Sequence, residues 1–260
     1  MIASFNTVTK PHLTMSDLTG KVAVVTGGSR GIGAAIARWI AQDGADVAIT
    51  YVSAPDRANA VAAQIDAIGR RGLAIRADSA HPEAVSAAVD RAAAELGRLD
   101  ILVNNAGVFV PSPFEETTLG EIDRTWAINV RAVIVASQAA VRHMHDGGRI
   151  IHIGSCLGER VGWPGLTLYS MSKAALIGLT KGLARDLGPR GITVNCVEPG
   201  PIDTDMNPAD APGADDQRRA TALGRYGTPD DIAAMVAHLA GEGGRFVTGA
   251  SILVDGGFVA

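Results

Sequence analysis

The sequence predicts a doubly wound α/β domain with a seven-stranded parallel sheet flanked by helices, and three observations carry that expectation. Short, continuously apolar runs alternate with longer segments of helical spacing, as strands buried on both faces require. A glycine-rich turn joins the first apolar run to the first helical segment. Further polar motifs recur just after later apolar runs, so they gather at one edge of the sheet, where open α/β sheets bind ligands.

The elements follow in order. Val22, Ala23, Val24 and Val25 form the first strand, and residues 32–41 have helical spacing. Residues 46–51 read as a strand and 57–68 as a helix stopped by Gly69. A third strand at 73–75 precedes a helix over 82–96, with Pro82 in its first turn and Gly97 past its end. Residues 101–103 make the fourth strand. A single long helix is expected from about 119 to 145, then a strand at 150–153, a helix holding Tyr169 and Lys173, and a strand at 193–197. A last helix over 229–239 precedes the seventh strand at 252–254. Crossovers between such strands are right-handed, and no repeat or long linker divides the chain, so residues 18–260 read as one domain. Residues 1–17 read as a loose tail without a signal-peptide core, with Met15 an alternative start. The irregular stretch 199–227, rich in Pro, Asp and Ala, is expected to be a substrate loop.

Bulk properties narrow the function. A net charge of −4 gives no basic footprint, which argues against nucleic acid as partner. No apolar run approaches the length of a membrane span. Two cysteines, Cys156 and Cys196, make no disulfide framework and suit a reducing cytoplasm. His143 and His145, two apart on the expected long helix, diverge and are poor joint metal ligands, and no metal site is predicted. His152 falls in a strand, and Cys156 reads as a small buried residue rather than a nucleophile.

The chemistry is concentrated in a few motifs. Thr26 through Gly33 place glycines at 27, 28, 31 and 33 in the turn before the first helix, where unpaired N–H groups and the helix dipole favour a pyrophosphate. No Gly-Lys-Ser/Thr follows, which excludes a P-loop kinase or ATPase. Asn104, Asn105, Ala106 and Gly107 follow the fourth strand, Ser155 the fifth, and Pro199, Gly200 and Pro201 the sixth. Tyr169 and Lys173, four apart, share one face of a helix. An ammonium beside a phenol is expected to lower the phenol's pKa from about 10 and make it a usable acid/base.

Together, in this order and spacing, these motifs resemble the short-chain dehydrogenase/reductase family over residues 18–260, and most nearly its 3-oxoacyl carrier-protein reductases and generic carbonyl reductases. The resemblance implies a Rossmann-type domain, a nicotinamide cofactor across the strand ends, and a catalytic tetrad of Asn129, Ser155, Tyr169 and Lys173. By the same resemblance Tyr169 protonates a carbonyl oxygen that Ser155 also binds, Lys173 holds the ribose hydroxyls, and Asn129 holds a water that relays protons to Lys173. Cofactor contacts are expected from Gly27, Ser29, Arg30, Gly31, Ile32, Gly33, Tyr51, Asp78, Ser79, Asn105, Ala106, Gly107, Tyr169, Lys173, Pro199, Gly200, Ile202 and Thr204. Asp78 is matched to the adenine amino group, or else caps the helix starting at Pro82.

Charge argues for NADP(H) over NAD(H). The second strand ends at Thr50, Tyr51, Val52 and Ser53, with no carboxylate before Asp56 to hold a ribose 2′-OH, while Arg30 in the glycine turn is positioned for a 2′-phosphate. The substrate side is expected to be lined by Val108, Phe109, Cys156, Leu157, Trp163, Pro201 and Met206, which suits a small apolar carbonyl compound or alcohol. Carrier-protein reductases dock an acidic partner on basic residues at two places. Arg190 matches the second, but the first reads His143, Met144, His145, Asp146 and Gly147, which favours a broader ketone/alcohol reductase. A non-catalytic sensor that binds a signalling dinucleotide in the same cleft is the alternative of a different class. Family resemblance further implies a homotetramer, or a homodimer, paired through the fourth and fifth helices and the last strand; Ala132, Ala136, Ala139 and Ala140 suit such close helix packing and would equally suit a core.

Overall fold

A computed structural model describes residues 16–260; of the expected tail over 1–17, residues 1–15, including Met15, lie outside the described residues. Seven strands form one sheet: β1 (Val22–Val25), β2 (Asp46–Tyr51), β3 (Gly72–Arg76), β4 (Leu99–Asn104), β5 (Met144–Ile153), β6 (Thr193–Pro199) and β7 (Ser251–Val254). All neighbours are parallel, in the order β3-β2-β1-β4-β5-β6-β7. Strand order reverses between β1 and β4, so a crevice opens beyond their carboxyl ends.

Among the described residues there are eight α-helices: α1 (Gly31–Gln42), α2 (Pro55–Ala67), α3 (Pro82–Leu96), α4 (Leu119–Trp126), α5 (Ala132–His143), α6 (Thr167–Leu187), α7 (Ala214–Ala220) and α8 (Pro229–Ala240). One face of the sheet packs Ile36 and Ile40 of α1, Ile65 of α2 and Ile232 of α8 against Val25, Val47 and Ile101. On the other face Val89 of α3, Ala136 of α5 and Ala184 of α6 meet Val24, Leu102 and Ile150. Because both faces are covered, β1 and the central runs of β4 and β5 are apolar, which is why they are visible in the sequence. Thr118 and Thr228 begin α4 and α8 with capping boxes completed by Glu121 and Asp231.

Three expectations are corrected. The long helix over 119–145 is two α-helices joined by a π-helical turn, Ala127–Arg131, and it stops at His143; Met144 is already extended and pairs with Leu99. His145 therefore lies on β5 rather than on a helix with His143, whose Nε2 meets Asp90 Oδ1 at 2.6 Å. The stretch 199–227 is not wholly irregular, because α7 starts after Gly213 (φ 84°), with Asp215 and Asp216 in its first turn and Arg218 and Arg219 in its last, each suited to the helix dipole. Its sequence offers no apolar stripe, so periodicity cannot reveal it. Finally, β6 runs on to include Pro199, so the turn begins at Gly200.

Candidate active site

The glycine turn is built by close backbone approach. Gly31 has φ +53°, a left-handed value that a side chain resists, and a Cβ on Gly33 would lie 2.4 Å from Asn105 Nδ2 and 2.5 Å from the Gly27 carbonyl oxygen. Asn105 explains that crowding, since its Nδ2 donates to the carbonyls of Thr26 (2.9 Å) and Gly27 (3.0 Å). Thr26 Oγ1 in turn accepts from the N–H groups of Asn105 (3.0 Å) and Ala106 (3.1 Å), and Thr50 Oγ1 accepts from Gly27 N–H (3.1 Å). Asn105 is thus a brace for the loop, its amide spent on backbone carbonyls. Arg30 is the extended N-cap of α1, and no side chain caps the first turn. That uncapped turn meets an anion's needs.

Beyond this loop the strand ends enclose a cleft of about 980 Å³. Every cofactor contact expected from the sequence, from Gly27 to Thr204, lines it, and so do Ser155, Tyr169 and Lys173. Asn129 does not line it. Its side chain brackets the backbone of Val108, accepting from the N–H (2.9 Å) and donating to the carbonyl (3.0 Å), and it donates to Ser172 Oγ at 3.0 Å. Ser172 Oγ donates to the Tyr169 carbonyl at 2.7 Å, so Asn129 is tied to the helix that bears the phenol. A Cβ on Gly107 would sit 3.4 Å from Asn129 Oδ1 and 3.6 Å from Lys173 Nζ, which shows how tightly these groups converge.

Electrostatics correct one expectation. The Tyr169 phenol is pushed up to about 12, chiefly by burial, although Ser155 pulls it the other way. Lys173 is not among the groups that lower it. Its Nζ lies 5.7 Å from the Tyr169 ring centre, donates to the Ile153 carbonyl at 2.8 Å, and is itself pushed down to about 8 by burial. Below the site, Asn104 Nδ2 donates to Ser137 Oγ and to His152 Nδ1 (3.1 Å), and burial, with the charge of Lys173, pushes His152 down to about 3. Cys156 is buried and pushed up to about 12 by burial, which makes its thiol inert.

At one end of the cleft, Phe109 stands edge-on to Tyr169, with ring centres 4.9 Å apart. Val108, Cys156, Leu157, Trp163, Pro201 and Met206 also line the cleft, as does Phe258. Phe258 packs on Trp163 and offers its carbonyl to Arg160 (2.8 Å); sequence reasoning missed it because it lies near the chain's end, far from any motif. At the other end Arg30 is joined by Arg57, also missed, on the first turn of α2. Asp78 does not cap α3, whose N-cap is His81; its Oδ1 accepts from Ala80 N–H at 2.9 Å within a turn at the cleft wall. Arg190 is committed to the end of α5 through the carbonyls of Val141 and Met144. Among the described residues no three His, Cys, Asp or Glu side chains gather to hold a metal, and no helix is long and apolar enough to cross a membrane.

A crevice at the strand reversal, lined by a glycine turn and by Ser155, Tyr169 and Lys173, defines a nucleotide-binding oxidoreductase fold. The chain matches, over residues 27–259, the family described as enoyl-(acyl carrier protein) reductase. It is 61% identical to a short-chain dehydrogenase from Burkholderia cenocepacia solved in complex with NADP, covering 94% of this chain and 100% of that one with a TM-score of 0.93. A blue fluorescent protein from a metagenomic library, solved in complex with NADPH, is 60% identical over 94% of this chain and 100% of its own, also with a TM-score of 0.93. The cyclic-di-GMP-binding biofilm dispersal mediator protein of Escherichia coli is 47% identical over 95% of this chain and 100% of its own. This chain belongs to the short-chain dehydrogenase/reductase family.

Proposed function

We propose that this protein is an NADP(H)-dependent oxidoreductase that interconverts a small, mostly apolar ketone and its secondary alcohol. The observation that carries this reading is the convergence of Ser155 and Tyr169 in one cleft whose far end holds Arg30 and Arg57. The residues fit the cofactor: the glycine turn, with no room for a Cβ at Gly33 and no side-chain cap on α1, suits a pyrophosphate, and the two guanidinium groups suit a 2′-phosphate. The NADP and NADPH complexes of the two relatives at 61% and 60% identity support the same choice.

When bound, the nicotinamide supplies or accepts the hydride. Tyr169, protonated at neutral pH, gives its proton to the carbonyl oxygen in reduction and takes it back in oxidation. Ser155 binds the same oxygen and orients it. Lys173 has one donor engaged by Ile153 and two others for ribose hydroxyls or for returning a proton to the phenol. Asn129 is a positioning residue that holds Val108 and the Tyr169 turn in register. Phe109, Leu157, Trp163, Met206 and Phe258 make the substrate side apolar.

Carrier-protein docking is disfavoured, because Arg190 serves the end of α5. The free, buried Cys156 and Cys196 suit a reducing cytoplasm, and family resemblance supports a homotetramer. A second reading, a dinucleotide sensor, draws on the 47% identical Escherichia coli relative. One experiment separates them. NADPH oxidation is followed with a panel of ketones, and cyclic di-GMP is titrated in parallel. Turnover that falls by about 10²- to 10⁴-fold in Tyr169→Phe while NADPH still binds is the expected result. An active Tyr169→Phe enzyme, or cyclic di-GMP binding with no ketone turnover, overturns the reductase.

A further inference from the structure

The cleft holds an acid where the proposed cofactor needs only bases. Asp205, in the segment after β6, has its carboxylate half exposed, and its Oδ2 meets Arg57 Nη1 at 2.7 Å and Arg30 Nη1 at 3.3 Å. The two arginines come from different elements, the N-cap of α1 and the first turn of α2, and Asp205 is the link between them. Asp205 also belongs to a turn that lines the cleft. Asn207 N–H donates to the Thr204 carbonyl at 3.0 Å, Asn207 and Gln217 of α7 exchange hydrogen bonds at 2.9 and 3.0 Å, and Met206 lines the cleft. Thr204 itself lies 3.5 Å from where a Cβ on Gly31 would stand.

We propose that Asp205 is a specificity-determining latch. It competes with the cofactor's 2′-phosphate for Arg30 and Arg57, so NADP(H) must release the 203–207 turn, whereas NAD(H) leaves it closed. This inference rests on the NADP(H) reading above.

The charge balance requires the competition. Two guanidinium groups and one carboxylate sum to +1, and a phosphate monoester brings about −1.5 to −2 with three acceptor oxygens. Carboxylate and phosphate on the same fork repel each other, and the phosphate carries more charge and more acceptors, so the carboxylate leaves. Its departure frees the turn that carries Met206. By linkage, whatever holds the turn open tightens NADP(H), and NADP(H) eases whatever needs the turn open. An NAD(H) molecule lacks the phosphate and leaves both ion pairs intact.

The test is binding, not turnover. Dissociation constants for NADPH and NADH are measured by calorimetry at low salt on the wild type and on Asp205→Asn. The variant is expected to bind NADPH roughly three- to tenfold more tightly, the scale of two exposed ion pairs, and to shift NADH by less than about twofold. Hydrogen exchange of amides 203–209 supplies an independent readout. Adenosine 2′,5′-bisphosphate is expected to speed exchange there in the wild type, and 5′-AMP is not. Unchanged or weaker NADPH binding in Asp205→Asn, or an equal response to both nucleotides, overturns the latch. The double variant Arg30→Ala, Arg57→Ala tells the two failures apart. If the wild type shows no preference for NADPH, the cofactor reading falls; if the double variant keeps that preference, Arg30 and Arg57 do not hold the 2′-phosphate and the latch falls; if it loses the preference while Asp205→Asn changes nothing, only the latch falls.

Discussion

Glu198 shows how a single buried side chain sets a pH dependence that the mechanism does not require. It lies on β6, 1% exposed, with neither carboxylate oxygen paired, and burial, reinforced by the charge of Glu159, pushes it up to about 7. A folded-state pKa above the unfolded value means that the folded protein holds the extra proton between about 4.5 and about 7. Glu198 therefore costs nothing below that window and destabilises as pH rises through it. Glu198→Gln is expected to raise unfolding free energy by about 1–3 kcal/mol at pH 8 and to change it little at pH 4.5, measured by urea denaturation at both values. An equal effect at the two pH values defeats this account. His152 acts with the opposite sign: its pKa is pushed down to about 3, so the unfolded chain binds more protons below about 6.5 and stability rises with pH from about 3 to that point. Side chains of this kind show where sequence stops being legible. The spacing of Tyr169 and Lys173 is plain in the chain, but whether burial or a neighbouring charge governs the phenol depends on the walls around it, and here burial wins. Arg57 and Asp205 are 148 positions apart, so nothing local marks them as partners.

At the scale of elements, the π-helical turn between α4 and α5 is the part that positions the site. It sets Asn129 facing the backbone of Val108, at the start of the apolar wall, and Ser172 carries the connection to the Tyr169 turn of α6. Asn129→Ala removes both partners of Val108, which places the expected cost at about 1–3 kcal/mol of stability. Because Val108 lines the substrate side, KM for the ketone is expected to rise while the dissociation constant for NADPH holds. Steady-state kinetics beside NADPH titration checks this, and a variant that loses NADPH instead of ketone affinity refutes it. The strands that bracket this device were readable because their central runs are buried on both faces and therefore apolar. The π turn was not, since one extra residue per turn leaves the apolar composition of 119–143 unchanged and only shifts its phase. For α7 the reason differs: its stability comes from acids at one end and arginines at the other, a charge pattern with no apolar period.

For the whole molecule, the sheet has a consequence at its rim. β7 ends the strand order, so one of its edges is unpaired among the described residues, and Leu253 on it is 42% exposed. Nearby in sequence, Phe246 is 98% exposed. An exposed phenylalanine and an open strand edge are each a liability that proteins cover. In the proposed homotetramer a two-fold axis across β7 is expected to bury that edge, with Leu253 and Phe246, on both copies. Burying one such phenylalanine contributes about 1.5–3 kcal/mol, and symmetry counts it twice. The double substitution Phe246→Glu, Leu253→Lys sets charges into that patch without touching the cleft, and neither residue lines it. The expected outcome is a drop to the dimer or monomer mass by light scattering with an unchanged circular dichroism spectrum. Retention of the wild-type mass would place the contact elsewhere, on the outer faces of α5 and α6, since Ala132, Ala136, Ala139 and Ala140 are buried in the core of the single chain. The two outcomes differ for function as well. Phe258 follows β7 by four residues and closes the substrate side through Trp163 and Arg160, so a partner seated on β7 steadies that wall. If the β7 contact is the true one, the double variant weakens ketone binding before it weakens NADPH binding, because the nucleotide end of the cleft lies across the sheet beside β1 and β2.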